Sequence, residues 1–114
     1  MNDCIFCKIV NKEIPASLVF ENDFVLAFSD INPQAPHHYL IIPKRHVSMI
    51  SEMETGDQQL IGMLFSAAKE IAKKFNFSAE GFRTIINNGH IAGQTVFHIH
   101  LHLLGGRVFT WPPG

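Results

Sequence analysis

Phe97-His98-Ile99-His100-Leu101-His102-Leu103-Leu104 is the stretch whose reading decides the fold. Successive side chains of a strand point to opposite faces, so an extended backbone here puts His98, His100 and His102 on one side. Phe97, Ile99, Leu101 and Leu103 then fall on the other. One face packs while the other presents imidazoles about 6.6 Å apart, close enough to act on a single ligand. A lone histidine on a strand is usually a satisfied structural residue. Three in register read instead as metal ligands, as a nucleophile with its proton relay, or as a pH switch, because imidazole titrates near neutrality.

The frame around this strand is modest. The chain has 114 residues, of which 46% are hydrophobic and 17% charged, enough for one globular domain over residues 1–114 with a real but small core. A net charge of −1 gives no reason to expect nucleic acid or an anionic membrane surface as partner. No apolar run approaches the roughly 20 residues that span a bilayer, and Met1-Asn2-Asp3-Cys4 carries no basic and apolar leader, so the expected location is cytoplasmic. Cys4 and Cys7 do not resemble a secreted disulfide framework. Alone, their Cys-x-x-Cys spacing fits half a zinc site, a redox pair, or two small hydrophobes on a short helix.

In chain order, residues 4–11 read as a short apolar helix stopped ahead of Pro15. Segments 17–21 and 24–28 read as a hairpin about Asn22-Asp23, 30–36 as a loop rich in proline and turn formers, and 39–42 as a strand closed by Pro43. From Thr55 to Phe75, Leu60, Ile61, Leu64, Phe65, Ala68, Ile71, Ala72 and Phe75 recur at helical spacing and predict one long amphipathic helix whose stripe is core. Residues 81–87 return as a strand. The turn 88–95 leads into the histidines, with Gly93, Gln94 and Thr95 gathering backbone, amide and hydroxyl groups suited to an anionic oxygen.

His98-Ile99-His100-Leu101-His102-Leu103-Leu104 resembles the His-φ-His-φ-His-φ-φ signature of the histidine triad superfamily, φ being hydrophobic. Cys4 to Ile9, Glu13-Ile14-Pro15, Ala27 to Ile31, Gln34-Ala35-Pro36, Ile42 to His46, Gly93 to Val96 and Trp111 to Gly114 are similar to its nucleotide-binding branch, so the likeness covers essentially the whole chain. It implies an α+β fold, with an antiparallel sheet of about five strands, one long helix and a short N-terminal helix. It also implies a homodimer that cleaves the P–N bond of purine nucleoside 5′-phosphoramidates. By position His100 would be the nucleophile, forming a nucleotidyl-histidine that water resolves, and His102 would bond a phosphate oxygen. Gly93, Gln94, Thr95, Val96 and Asn87 would surround the phosphate. Asp30 would take the ribose hydroxyls, and Phe6, Ile9, Phe28 and Ile31 the base. Thr95 stands where the branch often has serine, and Asn88 and His90 replace residues often acidic or serine.

The resemblance further implies a structural zinc on Cys4, Cys7, His46 and His98, a closed tetrahedral set that catalysis does not require. Without zinc, His38, His46 and His98 would form a relay and the cysteines would pack. Two alternatives stand beside the hydrolase: a nucleotide-binding regulatory protein with incidental hydrolysis, and a metalloenzyme holding zinc on all three histidines. The second is weakened because no carboxylate adjoins the triad as an obvious base. Lys44, Arg45 and Arg107 read as surface charges, and Trp111-Pro112-Pro113-Gly114 as a rigid tail.

Overall fold

The computed structural model describes residues 3–114. Helix α1 spans Ile5–Val10, and the thiol of Cys4 caps it by accepting from the Cys7 amide. Lys12 adopts a left-handed φ of 61° just past its end, where the amide of Glu13 returns to the Lys8 carbonyl. Strands β1 (Leu18–Glu21) and β2 (Val25–Ser29) form the expected hairpin, whose turn is held by Asn22 Oδ1 accepting from the amides of Phe24 and Val25. Strand β3 covers His37–Pro43, β4 Phe82–Ile85 and β5 Leu101–Gly105, and all five pair antiparallel in the order β1-β2-β3-β5-β4.

Period-two alternation splits the sheet into two faces. Val25, Ala27, Tyr39, Ile41, Leu101 and Leu103 pack beneath helix α2 (Gln58–Lys74) with Leu64, Ala67, Ala68, Ile71 and Ala72. Leu26, Phe28, Leu40 and Ile42 pack beneath α1 with Phe6 and Ile9. The long helix thus covers the centre of one face, leaving the α1 side for chemistry. It begins three residues later than its periodicity predicts, because Thr55–Asp57 form a 3₁₀ turn in which Glu54 and Asp57 satisfy each other's amides. Phe65 belongs to the predicted stripe yet is 45% exposed, one helical step beyond the stripe's edge.

The histidine stretch departs from a continuous strand. Regular pairing of β5 begins at Leu101, so His98 and His100 lie ahead of it. Proline supplies the reason: Pro43 ends β3 without an N–H, so the ladder cannot extend past it. The chain turns instead to Val47, whose carbonyl accepts the Ile99 amide at 2.7 Å. Side-chain alternation nevertheless persists, with Leu101 and Leu103 in the α2 core and His102 opposite Leu40 on the other face.

Strand β5 ends against the Phe77 ring, which stacks on His37 with centroids 4.5 Å apart. A Cβ built on Gly105 would meet that ring at 2.4 Å. Gly105→Ala should therefore destabilise the protein by about 1–3 kcal/mol, the cost of overpacking a ring that cannot step aside. Urea unfolding of the two proteins measures this.

Candidate active site and metal-ligand cluster

Hydrogen bonding sets the protonation of each ring nitrogen at the site. His100 Nδ1 lies 2.8 Å from the carbonyl oxygen of His98, which can only accept, so Nδ1 carries the proton and Nε2 keeps its lone pair. His38 Nδ1 accepts from the Gln34 amide at 3.0 Å, which puts the His38 proton on Nε2. That Nε2–H faces His102 Nδ1 at 3.0 Å and makes it an acceptor, so the remaining proton of neutral His102 is on Nε2. Adjacent imidazoles thus have opposite characters, His100 a bare nitrogen and His102 a donor, their ring centroids 5.0 Å apart.

Burial keeps these rings neutral. His102 is pushed down to about 4 by desolvation, with His100 and His38 adding to the fall and Asp30 opposing it. Desolvation lowers His100 and His38 as well, again against the field of Asp30. His98, buried completely, falls to about 4, chiefly by desolvation. Neutral imidazole is the form that attacks an electrophile or binds a metal.

The Nε2–H of His98 donates to the Pro43 carbonyl at 2.8 Å, leaving Nδ1 as the lone-pair atom. It points into a cluster with Cys4 Sγ at 3.3 Å, Cys7 Sγ at 3.5 Å and His46 Nδ1 at 3.1 Å, and His46 Nδ1 lies 3.4 Å from Cys7 Sγ. All four ligand atoms fall within 4.8 Å of one another. Zinc bonds of about 2.0–2.3 Å at the centre of a tetrahedron require edges of roughly 3.3–3.8 Å, so this donor set fits the ion in both chemistry and size.

Phe6 joins the histidines to a cleft, its ring meeting His100 edge-on with centroids 5.1 Å apart. Phe6, Ile9, Phe28, Asp30 and Ile31 line this cleft of about 350 Å³. Thr95 and Val96 open instead onto a neighbouring hollow beside Cys4 and His46, and Ile5 borders both spaces. Asn87, partly buried, follows β4.

Two readings of the glycine turn need correction. Gly93 has a φ of +99°, as a tight turn requires, but its amide donates to the His90 carbonyl. The Gln94 side chain is buried and spends both its donors on the Ser48 and Val96 carbonyls while accepting from the Gly89 amide. Both residues hold the loop, whereas the amides of Thr95 and Val96 take no part in its hydrogen bonds. The surface charges have structural partners: Lys44 meets Glu21 at 2.8 Å, Arg45 meets Asp57, and Arg107 bonds the Gln34 carbonyl. Trp111 stands exposed in the tail.

Sequence order hid one feature. Asp30 Oδ2 lies 3.3 Å from His38 Nε2, placing a carboxylate beside the histidines although none neighbours them in the chain.

An unfolded His102 binds its proton near pH 6.5, the folded one only near 4. Acidification through that window favours the unfolded state, so stability should fall from about pH 6.5 to about pH 4. The fall should be shallower in His102→Asn, which pH-dependent urea unfolding checks.

A model of the HIT domain family matches residues 11–109. The chain is 53% identical over 112 residues to an uncharacterized HIT-like protein of Synechocystis, covering 98% of this chain and 97% of that one. Among solved structures, a HIT family hydrolase from Legionella pneumophila superposes with a TM-score of 0.96 at 50% identity, over 98% of this chain and 100% of the other. A histidine triad nucleotide-binding protein from Candida albicans gives 0.82 at 32% identity, over 98% and 85%.

Proposed function

From the chain's membership of the HIT domain family, we propose that it is a hydrolase of purine nucleoside 5′-phosphoramidates, working through a nucleotidyl-histidine. The observation that carries the reading is the pair of ring contacts that set the tautomers, His100 Nδ1 at 2.8 Å from the His98 carbonyl and His102 Nδ1 at 3.0 Å from His38 Nε2. The base enters the Phe6, Ile9, Phe28 and Ile31 cleft, and the Asp30 carboxylate accepts from the ribose hydroxyls. His100 Nε2 then attacks the phosphorus, forming an N–P bond as the P–N bond breaks and the leaving nitrogen, taking a proton from water, departs as the amine. Positive charge gathering on the imidazole is met by the His98 carbonyl at Nδ1–H. His102 Nε2–H donates to a phosphoryl oxygen, and the amides of Thr95 and Val96 supply further donors as the phosphorus becomes five-coordinate. Asn87 lies at the phosphate end. Water attacks the nucleotidyl-histidine in the second displacement and releases the nucleoside monophosphate.

Cys4, Cys7, His46 and His98 hold a structural zinc in this reading, with no step needing the ion. The active form is a homodimer. Support comes from β4, an edge strand of the sheet that carries the 39%-exposed ring of Phe82, the kind of edge a second sheet extends. Among the described residues no helix is long and apolar enough to cross a membrane.

Wild type should hydrolyse adenosine 5′-phosphoramidate, with His100→Ala reducing turnover by at least about 10³-fold while retaining AMP binding. A folded wild type that binds AMP without turnover would point to a nucleotide-binding regulatory role. Zinc should be present at about one ion per chain and fall to near zero in the Cys4→Ser, Cys7→Ser double variant, measured by elemental analysis.

A further inference from the structure

Asp30 faces two ways. Its carboxylate lines the nucleoside cleft, yet Oδ2 also lies 3.3 Å from His38 Nε2. Its position is fixed from several sides: its amide donates to the His38 carbonyl at 3.0 Å, and Oδ1 accepts from the Asn32 amide at 2.8 Å. His38 is equally constrained, because the Gln34 amide occupies Nδ1 and leaves one proton, on Nε2, to give away. Two acceptors stand within reach of that proton: His102 Nδ1, hydrogen-bonded at 3.0 Å, and Asp30 Oδ2, in ion-pair range at 3.3 Å. The histidine is nearer; the carboxylate, being charged, is the stronger acceptor.

Which acceptor wins matters at the phosphate. With His38 Nε2–H donating to His102 Nδ1, the proton of His102 must sit on Nε2, where it donates to a phosphoryl oxygen. With the proton drawn to Asp30, Nδ1 of His102 loses its donor and the opposite tautomer becomes open to it. That tautomer presents a lone pair to the phosphate.

We infer that Asp30 is a positioning residue that couples ribose recognition to the His102 tautomer, so that ribose hydroxyls promote turnover as well as binding. Hydroxyls donating to the carboxylate weaken its pull on His38 Nε2–H, and that N–H settles as a donor to His102 Nδ1. A ribonucleotide thereby sets the phosphate donor that its own reaction uses. No covalent bond changes in this step; one shared hydrogen bond moves between two acceptors. The field of Asp30 acts on His38, His100 and His102 alike, consistent with a carboxylate central to the group. The inference rests on the hydrolase reading above and names ribose, rather than base, as the feature that governs rate.

The test compares adenosine 5′-phosphoramidate with its 2′,3′-dideoxy analogue, together with ring-nitrogen NMR of His102 in wild type saturated with AMP or 2′,3′-dideoxy-AMP. Wild type should lose about tenfold in kcat on the dideoxy substrate, beyond any rise in KM, and in Asp30→Ala the kcat ratio should collapse to about one. AMP should move the His102 Nδ1 resonance toward the acceptor form and dideoxy-AMP should not. A dideoxy penalty confined to KM, or identical His102 shifts with both nucleotides, would overturn the coupling. The NMR arm needs no variant to fold. If wild type binds AMP but hydrolyses neither phosphoramidate, the hydrolase reading fails, and the nitrogen shifts alone decide whether Asp30 governs His102.

Discussion

The site depends on His98 and on the peptide that follows it. Its buried ring is held at one nitrogen by the Pro43 carbonyl and turns the other toward Cys4, Cys7 and His46. Its carbonyl oxygen fixes the Nδ1 proton of His100. The amide in that same peptide unit, belonging to Ile99, is tied to the carbonyl of Val47, one residue past His46. The group that orients the proposed nucleophile is therefore clamped from both ends by segments converging on the metal-ligand cluster. A zinc there would act at a distance from the chemistry, by keeping one peptide plane still.

Helix α1 complements this clamp. Six residues are too few to form a stable helix alone, and it persists because Phe6 and Ile9 pack against Phe28, Leu40 and Ile42 while Cys4 caps its start. The same packing brings Phe6 against His98 and His100 and makes it a wall of the cleft. Core, cleft and ligand cluster thus share one short element, and a change in any of them is felt by the others.

Much of this was legible in the sequence, for local reasons. Period two in the sheet segments and 3.6 in residues 58–74 yielded the elements and their faces, and Asn22 and Pro43 marked their ends. The fold brings Phe6, Ile9, Phe28, Asp30 and Ile31 to one cleft and gathers Cys4, Cys7, His46 and His98 in one cluster. What stayed hidden depends on pairing between distant segments. Alternation alone could not foresee that the β3–β5 ladder stops at Ile41 and Leu101, short of His98, although the missing N–H of Pro43 was a usable signal. Gly93 and Gln94 looked like ligand groups because their chemistry suits an anion, and only the fold reveals that His90, Ser48 and Val96 already occupy them. The approach of Asp30 to His38 follows from the β2–β3 register, in which Ser29 pairs with Tyr39.

The Gln34 amide has an outcome for charge flow. A row of imidazoles bridged by hydrogen bonds conducts protons when each member can receive at one nitrogen and release at the other. His38 receives at Nδ1 from a backbone amide, a group that neither yields its proton nor takes a second near neutral pH. The row is accordingly a cul-de-sac: His38 already holds its one proton on Nε2 toward His102 and has Nδ1 occupied by the Gln34 amide, so a proton arriving at His102 finds no onward path through His38. Such a circuit holds polarity instead of draining it into bulk water.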